Sequence, residues 1–157
     1  MFQRILVGFD GSTHARRAVD AAIEIAGRFR SSVTLAIVRP DSPEAMEPDL
    51  DRLLPLGDDG RPLGVVLDEI RARASASGAN GVDSTVLRGD VVDRLVDLTK
   101  RGDYDLVVVG SRGLSAGRRL LLGSVSSALV DRAPCPVLVV RSPKRAATGR
   151  GTTGKVA

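Results

Sequence analysis

Five short apolar runs constrain this chain most: "RILVGF" (4–9), "SVTLAIV" (32–38), "DSTVLR" (83–88), "DLVVVG" (105–110) and "PVLVVR" (136–141). Most are β-branched and continuous rather than alternating, the pattern of parallel strands covered on both faces. Helical periodicity fills the intervals. Over 13–29, Ala15, Ala18, Val19, Ala22, Ile23, Ala26 and Phe29 recur at spacings of three and four, with Ser12 placed as N-cap. Similar segments fall at about 64–77, 90–101 and 124–133. Strands alternating with helices predict right-handed crossovers and an open five-stranded parallel sheet with helices on both faces, an α/β fold.

Residues 39–63 interrupt the alternation with five of the eight prolines and seven acidic residues, which predicts a long loop, with a mobile loop favoured over an ordered lid. No internal repeat is present, so residues 1–141 are expected to form one domain and 142–157 a basic, disordered tail. The pI near 10 invites a nucleic-acid reading, but the charge is local. Of 23 Lys plus Arg, four (Lys144, Arg145, Arg150, Lys155) follow residue 141, leaving 19 against 19 Asp plus Glu in the expected domain. With no Trp and 3% aromatic residues, the chain is also poorly supplied for base stacking, so nucleic acid is an unlikely partner. A single cysteine, no signal-peptide pattern and no apolar run of about 20 residues give the expectation of a soluble, cytoplasmic protein without a membrane role.

Two clusters carry chemistry. In "GSRGLSAGRRLLLGS" (110–124), glycines follow a strand and precede a helix, where backbone N–H groups and a helix N-terminus can hold a phosphate. The plain alternative is an ordinary βα connection. Ser124 is placed to cap the helix or to offer its hydroxyl and N–H to a phosphate oxygen, and these roles are compatible. Of Arg112, Arg118 and Arg119, Arg112 is favoured as a phosphate partner because it lies between Gly110 and Gly113. The second cluster is "VGFDGS" (7–12): Gly8 leaves room for close approach, and Asp10 puts a carboxylate at the carboxyl edge of the sheet, toward a ribose hydroxyl or a hydrated metal, or simply helps to cap a helix. If strands one and four are neighbours, the clusters meet at the switch point, where open α/β sheets bind ligands.

Other candidates carry less. Gly149, Gly151 and Gly154 satisfy G-x-G-x-x-G, and Gly149 to Lys155 satisfies G-x-x-x-x-G-K, but no strand precedes them and Val156 stands where Ser or Thr is needed. His14 lacks partners for a triad or a metal site, and Cys135, between Pro134 and Pro136, has no activating pattern around it.

Together, "VGFDGS" and "VVVGSRGLSAGRRLLLGSVSSALVDRAPCPVLVVR" resemble the universal stress protein family over residues 2–141. Its ATP-binding members carry G, two residues, G, nine residues, G and Ser or Thr; here these are Gly110, Gly113, Gly123 and Ser124. The extra Gly117 and the pair Arg118-Arg119 depart from the family's spacer. The resemblance implies strand order 3-2-1-4-5 and an adenine nucleotide, ATP or else AMP or ADP, with Mg or Mn. The site implied is Gly8, Phe9 and Asp10 around the ribose, Val38 at the adenine edge, Val109, Gly110, Arg112 and Gly113 around ribose and phosphates, and Gly123, Ser124, Val125 and Ser126 at the phosphate tail. It further implies a homodimer through strand 136–141 and a nucleotide-dependent stress regulator acting on an unidentified protein partner. A weak metal-dependent ATPase and a nucleotide-independent scaffold are the alternatives; no general base or Walker lysine argues for the enzyme.

Overall fold

A computed structural model of the chain describes residues 1–39, 41, 55–56, 59–113 and 122–141. Along the chain these form β1 (Arg4–Gly8), α1 (Thr13–Phe29), β2 (Ser32–Arg39), β3 (Pro55–Leu56), β4 (Arg61–Pro62), α2 (Leu63–Ser77), β5 (Val82–Arg88), α3 (Val91–Arg101), β6 (Leu106–Gly110), α4 (Ser124–Arg132) and β7 (Val137–Val140). Five strands make one parallel sheet in the order β5-β2-β1-β6-β7. Numbered within that sheet alone, this is the expected 3-2-1-4-5. Inside the 39–63 stretch, β3 and β4 pair antiparallel, Pro55 with Pro62 and Leu56 with Arg61. The rest of that stretch, Gly117, Arg118, Arg119 and the basic tail with its two glycine motifs lie outside the described residues.

The central strands β1, β2 and β6 are buried from both sides because their side chains alternate between two cores. Ile5, Val7, Val33, Leu35, Ile37 and Val108 pack with α1 and α2, and Leu6, Ala36, Val107 and Val109 pack with α3 and α4. This division follows from handedness. A right-handed crossover puts its helix on one face when the chain moves outward from β1 to β2 and β5, and on the other when it returns to β6 and β7. Helix α1 buries Ala15, Ala18, Val19, Ala22, Ile23 and Ala26, and Ser12 caps it by accepting the Ala15 N–H at 3.1 Å. Asp90 caps α3 in the same way, accepting the Asp93 N–H at 3.0 Å.

The two sheet edges differ. β7 bonds β6 through alternate residues, with Val107 N–H donating to Pro136 C=O and Ser111 N–H to Val140 C=O, so the backbone groups of Val137 and Val139 lie on its outer side. Leu138 is 36% exposed on this strand and Val130 is 54% exposed on α4. The β5 edge, "VDSTVLR", carries polar and charged residues along its length instead.

Candidate functional site

The site begins where β1 stops. β1 ends at Gly8 while its neighbours continue, β2 to Arg39 and β6 to Gly110. Phe9 N–H donates to Ala36 C=O at 2.9 Å, so the backbone groups of Ala36 face β1. Those of Val38, two residues later, face the same way after β1 has turned off. By the same alternation the Gly110 carbonyl faces this gap from β6, because Val107 and Ser111 point to β7. The result is a crevice at the carboxyl ends of β2, β1 and β6, with backbone polar groups on two walls.

The turn after β1 forms its floor. Gly11 has φ +79°, a conformation that L side chains rarely adopt. This turn lets the Asp10 carboxylate reach forward, where Oδ1 accepts the Ser12 N–H at 2.9 Å. Asp10 therefore does steady the start of α1, as the plain reading held. Its second oxygen does something else: a Cβ added to Gly113 would lie 2.7 Å from Asp10 Oδ2. Two clusters about one hundred residues apart in sequence thus meet at the switch point, and a side chain at Gly113 would push the Asp10 carboxylate aside.

The other glycines have different reasons. A Cβ on Gly110 would sit 2.7 to 2.9 Å from the C, Cβ and O atoms of His14, so this glycine admits the first turn of α1 against β6. Gly8 faces Val109 Cγ1 at 3.1 Å and Leu95 Cδ1 at 3.3 Å, a matter of core packing. Gly123 is tied back to the end of β6: its N–H donates to Ser111 C=O at 2.7 Å, and Ser111 N–H donates to Val140 C=O at 2.8 Å.

Gly123, not Ser124, is the N-cap of α4, and it offers no side chain to the helix. Ser124 is the first helical residue and is exposed. The N–H groups of Ser124, Val125 and Ser126 therefore open the helix without a side-chain cap, at its partially positive end. Ser126 is 2% exposed and its hydroxyl donates to Gly123 C=O at 3.0 Å, so its side chain braces the turn. Its backbone is what can meet a ligand. Arg112 is half-buried beside Gly113, Val109 is buried, and Phe9 is buried in the α1 and α2 core. Cys135 lies before β7, at the opposite end of the sheet from the crevice, and burial, with a smaller push from Asp105, raises its thiol pKa.

Sequence reasoning missed Ser111, whose carbonyl accepts from Gly123 and whose N–H donates to Val140, and Arg16, whose Nε donates to Gly11 C=O at 3.2 Å. Ser111 stood inside the glycine motif. Arg16 gave no signal, because one arginine in an exposed helical turn looks like any other.

The universal stress protein family model matches residues 1–141. The chain belongs to this family. Universal stress protein Rv1636 of Mycobacterium tuberculosis is 34% identical over 147 residues, covering 90% of this chain and 97% of its own. A universal stress protein crystallised in complex with cAMP is 33% identical, with a TM-score of 0.69 over 88% of this chain and 97% of that one. A family member from Arabidopsis thaliana with AMP bound is 23% identical, with a TM-score of 0.60 over 88% of this chain and 91% of its own, a likeness of fold. As in the sequence, no described helix is long and apolar enough to cross a membrane.

Proposed function

We propose that this universal stress protein binds an adenine nucleotide, ATP in the first instance, in the crevice above β1, and acts as a nucleotide-dependent regulator. The observation that carries the reading is the approach of Gly113 to Asp10, which joins the glycine-rich loop to the turn after β1. The uncapped N-terminus of α4 supports phosphate binding at Gly123 to Ser126, and the outward backbone groups of Val38 support recognition of the adenine edge. The cAMP complex of a relative 33% identical supports the adenine class.

Among the described residues no three His, Cys, Asp or Glu side chains gather to hold a metal. A Mg or Mn ion would fit as one carried by the phosphates and met by Asp10 alone, because Mg keeps several waters and takes few protein carboxylates. Asp10 already accepts the Ser12 N–H, so the site is better suited to binding than to activating a water. The outer side of β7, with Val137 to Val140 uncharged and Leu138 exposed, supports pairing with a second copy. A cytoplasmic homodimer whose bound nucleotide is sensed by a protein partner completes the reading.

The test is mass spectrometry of small molecules released from the freshly purified, denatured protein, followed by calorimetric titration with ATP, ADP, AMP and cAMP. Adenine nucleotide released or bound by the wild type, with affinity weakened about tenfold in Gly113→Ala, is the expected result. A wild type that neither carries nor binds any of the four overturns the proposal.

A further inference from the structure

We infer that Arg16 is a positioning residue of the crevice: it holds the Gly11–Ser12 peptide plane that aims Asp10, and is itself held by Asp59 from the turn between β3 and β4. This rests on the nucleotide reading above. One peptide unit links the two side chains. The carbonyl of Gly11 accepts from Arg16 Nε at 3.2 Å, and the N–H of Ser12, in the same plane, donates to Asp10 Oδ1 at 2.9 Å. Because the peptide is planar, its two polar groups rotate together. Fixing the carbonyl fixes the N–H, and the N–H fixes the carboxylate whose other oxygen faces Gly113. Gly11 makes that control necessary. At φ +79° and without a side chain, nothing of its own holds the plane.

The guanidinium has two faces to offer. While Nε serves Gly11, the terminal nitrogen NH2 pairs with Asp59 Oδ2 at 2.7 Å. Asp59 Oδ1 in turn accepts the Arg61 N–H at 3.2 Å, so both oxygens of Asp59 are engaged. Arg61 then pairs with Glu69 on α2. The hydrogen bond from Arg61, with Coulombic help from Arg61, Arg16 and Arg73, holds the Glu69 carboxyl below the usual carboxylate range. A further pair, Arg73 with Asp20, ties α2 to α1. The Arg16 and Asp59 side chains are 33% and 40% exposed, so the pair by itself is worth little stability. Its effect is geometric: a forked cation joins two acceptors that a lysine ammonium, a single point on a flexible stem, does not hold in the same way.

The experiment compares wild type, Arg16→Ala, Arg16→Lys, Asp59→Asn and the Arg16→Ala/Asp59→Asn double variant. Each is titrated with ATP and with cAMP, and amide exchange at Ser12 and the thermal midpoint are measured on the ligand-free protein. The net worth of one ordinary, part-exposed hydrogen bond sets the expected effect: Arg16→Ala weakens affinity about five- to tenfold and speeds Ser12 exchange by a similar factor. Arg16→Lys restores less than half of this on the logarithmic scale. Asp59→Asn gives a smaller loss in the same direction, and the double variant is no worse than Arg16→Ala, because Asp59 acts through Arg16.

Unchanged affinity in Arg16→Ala and Asp59→Asn, with only the thermal midpoint lowered, overturns the inference and leaves Arg16 a structural residue. Additive losses in the double variant overturn the part assigned to Asp59. A wild type that binds neither nucleotide sinks the nucleotide reading, and the crevice role of Arg16 with it. That failure is read in the wild-type titration alone, before any variant enters.

Discussion

Gly110 and Gly113 belong to one motif, yet alanine at each is expected to break a different property. At Gly110 the added Cβ meets His14 C at 2.7 Å, Cβ at 2.8 Å and O at 2.9 Å. Two of these are backbone atoms of α1, so relief requires the helix to move away from β6. Overpacking of this kind costs about 1–3 kcal/mol. For a chain of this size each kcal/mol lowers the thermal midpoint by about 2–4 °C, so a fall of about 2–12 °C is expected. At Gly113 the added Cβ meets only Asp10, Oδ2 at 2.7 Å and Cγ at 3.9 Å. Gly113 is exposed and its φ is not positive, so alanine suits the backbone, and rotation of one carboxylate relieves the contact. Its midpoint should stay within about 2 °C, as for a surface change of about 0.5 kcal/mol. Its nucleotide affinity should fall about tenfold, because Asp10 leaves its place. Circular dichroism melts and calorimetric titrations on the two variants measure both quantities. If Gly110→Ala melts like wild type, or Gly113→Ala loses as much stability as Gly110→Ala, the division of labour between the two glycines is wrong.

Two further outcomes can be checked. Gly27→Ala should destabilise although it replaces glycine in a helix: the roughly 1 kcal/mol gained in propensity is outweighed by a Cβ only 2.5 Å from the carbonyl oxygen of Ser77, the last residue of α2, and a denaturant midpoint at or above wild type would refute this. Cys135, whose thiol pKa is raised by burial and then by Asp105, should be alkylated slowly at neutral pH, with a rate still climbing above the ordinary thiol value of about 8.5; a rate that levels off below pH 8 would contradict that environment.

The elements were legible because each rests on a local pattern. Continuous β-branched runs gave the five strands of the sheet, alanine-rich three-and-four spacing gave α1, and Ser12 before Thr13 gave its cap. The strand order was not in those patterns; it came with the resemblance to a family. β3 and β4 escaped because two residues each, with Pro55 and Pro62 among them, are too short to show alternation. The glycines were half legible. A sequence marks positions where a side chain is unwelcome, but not what occupies the space: the backbone of α1 at Gly110, core side chains at Gly8, a carboxylate at Gly113. Of the two roles open to Ser124, cap or phosphate partner, the cap does not hold, because the chain enters the helix one residue earlier, at Gly123. The link from Arg16 to Asp59 spans 43 positions and follows no period, so nothing local announces it.

The chemistry of Asp10 also constrains how a nucleotide lies in the proposed site. An ionised carboxylate accepts hydrogen bonds and donates none, and a phosphate is likewise an acceptor. Asp10 Oδ1 accepts the Ser12 N–H, and a ligand group that approaches the carboxylate from the side of Gly113 is favoured as a donor or a cation. A bare phosphate there would be repelled, whereas a ribose hydroxyl or a hydrated metal would be held. The N–H groups at the start of α4 have the opposite preference, for an acceptor with negative charge. With backbone groups of Val38 facing the gap on the far side of β1, a nucleotide bound as proposed would lie with its base toward β2, its sugar over Asp10 and its phosphate toward α4. Holding the Gly11–Ser12 plane therefore does more than steady a turn. In the proposed pose it keeps the Asp10 carboxylate under the sugar, the part of the ligand that carries hydroxyl donors.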